Sequence, residues 1–350
     1  MNRPTIDDVA ALAGVARATV SRVLNDQPNV RAAMREKVMA AVEKLGYRVN
    51  VQARNLAGRR GLRIGLVHAS DFDSEPNSYF SSALELGATR ECIRLGAHLI
   101  THVANQSDSS AASEILMRLR DDQCDGVILT PPFADDLSLL RSLEKLGIAA
   151  VSIAGGPAAE GVVRTIGIDE FSAGHDIGQH LVELGHRRFG FIKGLAGHVA
   201  AEGRYDGFLL ALAEAGIQPD AVACERGNFT FRSGLDCAQL LLDGQLSITA
   251  IVCANDDMAA GALLAAHKRG LRIPEDVAIT GFDDTPVSEI VWPPLTTIHQ
   301  PLRRMGARAV GRLIEIVGED QGIMPGRDII SHSLVLRDSS VPLVHASQAE

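Results

Sequence analysis

The sequence predicts a small all-α N-terminal module followed by an α/β body made of two doubly wound parallel-sheet lobes. Three observations carry this reading. The first sixty residues hold three short segments with apolar residues at helical spacing. From residue 61 onward, short apolar runs alternate with longer amphipathic stretches, the pattern of parallel strands crossed by helices. Eight or more such units in a chain of 350 residues exceed one sheet and one hydrophobic core.

Thr5-Ile6-Asp7-Asp8 is a capping-box pattern, with the Thr5 hydroxyl placed to accept a backbone N–H and Asp8 placed to reach back. Ile6, Val9, Ala10 and Ala13 follow at i, i+3, i+4 and i+7, so a short helix with one apolar stripe is expected, stopped by Gly14. A second helix is expected from about Arg17 to Asn25. At about 100° per residue, Val20, Val23 and Leu24 fall on one side of it. Arg17, Ser21, Asn25, Ala18 and Arg22 fill an arc of roughly 140° on the other. A third helix begins near Ala32, with Met34, Val38, Ala41, Val42 and Leu45 as its buried stripe and Gly46 at its end. Two short helices around a glycine turn, closed by a third, form a helix-turn-helix.

The net charge of −9 hides an asymmetry. Residues 1–60 carry eleven Lys/Arg against five Asp/Glu, a net +6, which leaves −15 on the remainder. A basic head on an acidic body points to a polyanion partner for the head alone. A guanidinium grips guanine O6 and N7 bidentately in the major groove, while hydroxyls and amides suit phosphates. Arg17 and Arg22 are therefore the candidate base readers. Ala18 offers apolar contact to a thymine methyl, and Thr5, Thr19, Ser21 and Asn25 suit the backbone. The plainer alternative, a solvated face on a helical bundle, does not account for the coincidence of arc and charge.

After Gly46 and Tyr47, Asn50 is placed to cap a helix of about eight residues that Gly58 would end, too short to persist alone in water. Leu56 is apolar among polar neighbours. It is either one exposed leucine on a linker or, in a hinge that folds only on DNA, a wedge for a minor-groove step. Tyr47, Asn50, Ala53 and Leu56 complete the DNA-facing candidates.

The motifs Thr5-Ile6-Asp7-Asp8-Val9-Ala10, Ala13-Gly14-Val15, Thr19-Val20-Ser21-Arg22-Val23-Leu24-Asn25, Arg35-Glu36-Lys37-Val38 and Leu56-Ala57-Gly58 resemble the LacI/GalR family of bacterial regulators. The resemblance implies a three-helix headpiece, a hinge helix, and a homodimer on near-palindromic double-stranded operator DNA. It places Arg17 and Ala18 at the positions that set operator preference and Leu56 at the minor-groove wedge. Ala16 and Arg31 depart from it, standing where family members often have helix-capping serines.

In the body, strands are expected at 62–68, 98–103, 125–130, 148–153, 165–168, 189–193, 248–254 and 277–282. Helices are expected at 81–95, 110–121, 136–146, 173–184, 201–215, 232–242 and 257–268. The resemblance continues here at lower density and implies a fold like type I periplasmic sugar-binding proteins, with three crossings between lobes, near Val163, Leu295 and Met324. The expected domains are then a headpiece at 1–48, a hinge at 49–60 and a core at 61–345. Within the core, lobe 1 takes about 61–163 plus 296–324 and lobe 2 about 164–295 plus 325–345.

Ligands of such sheets bind beyond the strand C-termini. Those ends hold His68, Ser70, Thr130, Ile168, Asp169, Asn255, Asp256, Asp257, Phe282 and Asp283, where carboxylates and amides suit hydroxyl donors and aromatics suit a ring face. Asn255 or Asp256 serves equally to cap the next helix. Asp284 before Thr285-Pro286 suits a turn, and Arg204 suits an ion pair with an acid of its helix. The resemblance implies effector contacts at Arg204, Asn255, Asp257 and Asp283, an aromatic wall at Phe229, Gln300 near a crossover, and Tyr79-Phe80 on a first-lobe loop. Ala154 stands where sugar-binding members often place an aspartate. The implied effector is a sugar, a glycoside or another metabolite, with a purine-type corepressor as the alternative.

Phosphate-loop, dinucleotide and nucleophile-elbow motifs do not occur, and no cofactor, metal or enzymatic activity is expected. His186, before Arg187-Arg188, reads as structural. The five scattered cysteines read as buried reduced thiols. With no apolar run of membrane-spanning length and no signal-peptide core, a cytoplasmic protein with no membrane partner is expected, rather than an exported sugar binder.

Overall fold

The computed structural model describes residues 6–24, 31–45, 61–69, 79–106, 108–318 and 325–340. The chain forms two compact units, Met1–Leu62 and Arg63–Glu350. In the first, α1 (Ile6–Ala13), α2 (Arg17–Leu24) and α3 (Ala32–Leu45) enclose a core of Val9, Ala10, Val20, Val23, Val38 and Ala41. Gly14, at φ +66°, ends α1 in a Schellman motif: its N–H donates to Ala11 O and that of Val15 to Ala10 O. The same left-handed residue redirects the chain into α2.

The second unit is built on two parallel sheets. The first contains β1 (Arg63–Ala69), β2 (His98–Ala104), β3 (Gly126–Leu129), β4 (Ala149–Ile153), β5 (Arg164–Gly167) and β11 (Gly326–Ile329), in the order β11-β5-β4-β3-β1-β2. The second contains β6 (Phe189–Lys193), β7 (Val222–Arg226), β8 (Ala250–Cys253) and β9 (Ala278–Thr280), in the order β7-β6-β8-β9. β10 (Thr297–His299) and β12 (Ser333–Val335) form an antiparallel ribbon. The inner strands β3, β4 and β8 are buried at every residue, as parallel strands with helices on both faces must be.

The helices are α4 (Tyr79–Leu95), α5 (Ala111–Asp121), α6 (Leu137–Lys145), α7 (Pro157–Glu160), α8 (Glu170–Glu183), α9 (Val199–Glu214), α10 (Phe231–Asp243), α11 (Asp256–Lys268), α12 (Pro286–Ile290) and α13 (Leu302–Gly318). Three pairs of them meet through glycines. A Cβ on Gly87 of α4 would lie 1.9 Å from Arg303 O of α13, and one on Gly174 of α8 would lie 1.9 Å from Arg204 O of α9. A Cβ on Gly234 of α10 would lie 2.2 Å from Met258 O of α11. Gly306, Gly207 and Gly261 answer them from the partner helices. The obstructing atoms are backbone, so they cannot swing aside. Gly174→Ala is expected to force α8 from α9 and cost about 1–3 kcal/mol, read as a lower denaturant midpoint at unchanged slope.

Two expected features need correction. β5 pairs with β4 and β11, all parallel, so residues 164–167 and 326–329 belong to the first lobe. The first and third crossings therefore follow β5 and β11 rather than falling at Val163 and Met324. The second follows β10, not Leu295, since α13 returns to pack on the first lobe. Of the cysteines, four are buried but Cys224 is exposed, because β7 is an edge strand. β7, β10, β11, β12 and α13 are absent from the expected alternation.

Candidate ligand cleft and nucleic-acid face

In the second unit a cleft of about 530 Å³ opens beyond the C-terminal ends of both sheets. It is lined from the first lobe by His68, Tyr79, Phe80, Thr130 and Ala154, and from the second by His198, Arg204, Phe229, Asn255, Asp257 and Asp283. Non-glycine residues at positive φ concentrate there: Ala154 (52°), Phe229 (68°) and Asp283 (104°) all line it. Backbone strain of this kind is retained where surrounding structure enforces it, commonly at ligand sites.

Arg204 is the best-anchored side chain. It lies in the first turns of α9, 5% exposed, and Nε donates to Glu170 Oε2 at 2.7 Å while Nη1 donates to Ala254 O at 2.6 Å. Its guanidinium lies 3.7 Å from the centroid of the Phe282 ring. The acid that pairs with Arg204 therefore belongs to α8, not to its own helix. Phe282 does not line the cleft but forms the floor on which Arg204 rests.

Asn255 caps α11, its Oδ1 accepting from Met258 N–H at 3.0 Å, and its Nδ2 donates to Phe229 O at 2.9 Å. It thus serves both readings, cap and cleft, by fixing the strained Phe229 loop. The Phe229 ring packs on His198 at 4.8 Å between centroids, in space that Gly194 leaves open, since a Cβ there would lie 2.0 Å from the ring. Thr130 turns its hydroxyl back to Val67 O. Asp256 is fully buried and accepts from Thr285 N–H and the Thr297 hydroxyl, so it braces the loop after β9 instead of facing ligand. Asp169 caps α8. Asp284 pairs with His299 and Arg337, and His186 Nδ1 meets the Thr249 hydroxyl.

Gln300 and Ile168, both expected to touch ligand, do not line the cleft. Gln300 sits at the second crossing and donates to Asp283 Oδ1 at 2.6 Å, so it positions a lining carboxylate. Ile168 is buried, and its carbonyl accepts from Arg327. Ser70 lies outside the described residues. His198, Glu85, Thr101, Asn228 and Thr285 line the cleft without having been expected. His198 follows β6, so the strand-end rule would have reached it, whereas Asn228 follows β7, a strand the alternation does not show. Glu85 and Thr101 depend on how α4 lies over β2.

Burial pushes the Asp283 carboxyl up to about 7, against the opposing pull of Arg204 and Gln300. Burial, with Arg204 nearby, pulls His198 down to about 4. The native state thus binds a proton at Asp283 that the unfolded chain releases near its ordinary value of 3.8. This stability is present at low pH and lost as pH rises through about 7. His198 contributes with opposite sign, its share being present above 6.5 and lost as pH falls through about 4. The Asp283 share is isolated by Asp283→Asn. The difference in unfolding free energy, wild type minus variant, should fall between pH 4 and 7; a flat difference would contradict the shifted carboxyl.

In the first unit Arg17, Ala18 and Arg22 are exposed along α2 and Thr19 is half-buried, while Val20 and Val23 face the core. Ser21 lies in α2, but its side chain is outside the described set. Thr5, Asn25, Tyr47, Asn50, Ala53 and Leu56 lie outside the described residues altogether.

Residues 5–50 match the model of bacterial regulatory proteins of the lacI family, and residues 179–340 match the periplasmic binding protein-like domain. The chain is 34% identical over 340 residues to the HTH-type transcriptional regulator CelR of Thermobifida fusca, covering 96% of this chain and 98% of that one. It is 34% identical over 339 residues to the HTH-type transcriptional repressor PurR of Haemophilus influenzae, covering 96% and 98%. Among solved structures it is similar to a CelR–cellobiose complex (TM-score 0.73, 31% identity, 97% of this chain and 100% of that one). It is also similar to the Lac repressor dimer bound to operator and the anti-inducer ONPF (TM-score 0.71, 30% identity, 97% and 100%). These relatives are transcriptional regulators, and no described helix here is long and apolar enough to cross a membrane. A helix-turn-helix with an exposed arginine face, a two-sheet body with a strained cleft, and identity over nearly the whole length lead to one assignment: the chain belongs to the LacI family of bacterial transcriptional regulators.

Proposed function

We propose that the protein is a cytoplasmic, dimeric operator-binding repressor without catalytic activity, controlled by a sugar, glycoside or similar metabolite held in the interlobe cleft. The observation that carries this reading is the convergence of Arg204, Asp283, Asn255 and Phe229 from one sheet with Tyr79, Phe80 and Thr130 from the other. A ligand bound to both sets favours one separation of the lobes. It shifts that equilibrium by its difference in affinity for the two states. In this reading Arg17, Ala18, Thr19, Ser21, Arg22, Asn25 and Thr5 contact DNA through the headpiece. Residues 49–60, with Leu56, couple closure to operator binding.

The test is an operator titration with and without cellobiose, glucose or hypoxanthine. A coupling of about 1–3 kcal/mol changes operator affinity roughly 5- to 150-fold. An inducer lowers affinity and a corepressor raises it, and cellobiose and hypoxanthine separate the glycoside from the purine alternative. Operator affinity indifferent to every ligand that binds the protein would overturn allosteric control.

A further inference from the structure

On the first-lobe wall of the cleft one buried side chain has no internal partner. His68, at the end of β1, lines the cleft with its side chain 7% exposed, yet neither ring nitrogen has a hydrogen-bond partner. The nearest carboxylate, Glu85 Oε2, stands 3.9 Å away, beyond hydrogen-bond reach. Glu85 is itself held in place by the Thr101 hydroxyl at 2.9 Å, and both residues line the same wall. A buried imidazole with two idle nitrogens is costly to keep, so it persists where something else completes it.

The charges of the lining set narrow the ligand. Among the described lining residues Arg204 is the only Lys or Arg, and it is already paired with Glu170 and stacked on Phe282. Glu85, Asp257 and Asp283 line the cleft with it. Burial lowers the pKa of both His68 and His198, so neither supplies a compensating positive charge near neutrality. A phosphate or carboxylate would enter a cleft whose described lining holds no second Lys or Arg and carries the carboxylates of Glu85 and Asp257, whereas hydroxyl groups meet acceptors on both walls.

On the reading of the cleft as the effector site, we infer that His68, Glu85 and Thr101 form a first-lobe subsite for hydroxyl groups, and that the effector is an uncharged polyhydroxylated molecule bridging this subsite and Arg204. The neutral imidazole donates from one nitrogen and accepts at the other. Glu85 accepts a second hydroxyl once the lobes close on the ligand.

The test uses the full-length protein and isothermal titration with matched pairs: glucose and glucose 6-phosphate, cellobiose and cellobionate, glycerol and glycerol 3-phosphate. The neutral member is expected to bind and its anionic counterpart to bind at least tenfold more weakly. His68→Phe keeps the ring and removes both nitrogens. It should leave the unliganded protein as stable as wild type or more so, and weaken the neutral ligand about tenfold or more, with His68→Gln recovering part of the loss. Preferred binding of an anionic member overturns the charge assignment. Unchanged affinity in His68→Phe overturns the subsite while leaving the cleft as effector site intact. Absence of binding by every member in the wild type overturns the effector reading and this inference with it.

Discussion

Arg204→Met is expected to abolish the effector response and to cost about 3–5 kcal/mol of stability, because it strands the Glu170 carboxylate in a buried site. Methionine fills much of the vacated volume, so the loss is electrostatic more than steric. Three things fail together: Glu170 loses its partner, Ala254 O loses its donor, and Asp283 loses the cation that opposes its burial. The double variant Arg204→Met, Glu170→Leu separates fold from function. Removing both charges leaves no unpaired ion, and buried pairs replaced by apolar groups are often neutral or stabilising. Its denaturation midpoint should return most of the way to wild type, while operator binding stays indifferent to ligand. A double variant that regains the response would show that Arg204 holds the helices together and does not touch effector.

Arg22→Ala should produce the largest loss in DNA binding. Arg22 is exposed on the face of α2 opposite Val20 and Val23, so its removal leaves the three-helix core intact. If it grips a guanine, each half-site loses about 1–3 kcal/mol of discrimination, and a dimer loses that twice. Specific affinity then approaches the weak, salt-sensitive background on random DNA, which hardly changes. A phosphate contact predicts something else: equal weakening on operator and random DNA, with the salt slope reduced by about one. Titration of both DNAs at several salt concentrations distinguishes them.

The headpiece was legible because its information is local. Apolar residues at helical spacing, a glycine that only a left-handed turn accommodates, and a one-sided arginine arc all lie within about sixty residues. The strand–helix alternation was legible for the same reason, since buried parallel strands are short continuous apolar runs. β7 escaped because an edge strand such as Val222–Arg226 is half-exposed and mixes Cys, Glu and Arg with its apolar residues. β10, β11 and β12 are three or four residues long, and only partners far away in sequence make them strands. α13 does carry a helical stripe in Leu302, Met305, Gly306, Ala309, Val310 and Leu313, but which sheet it covers is a tertiary matter.

In the cleft, the sequence alone determined which positions stand at the strand ends, and with them Thr130, Asn255, Asp257 and Asp283. Tertiary structure decided what each one does. It paired Arg204 with an acid 34 residues away, turned Gln300 from a ligand contact into a support for Asp283, and withdrew Ile168 and Phe282 from the surface. It also left His68 buried with nothing to bond. Period and spacing fix where a side chain enters the fold. Whether that side chain is satisfied or waiting for a ligand depends on atoms brought close by the packing of helices on sheets, and no local pattern encodes them.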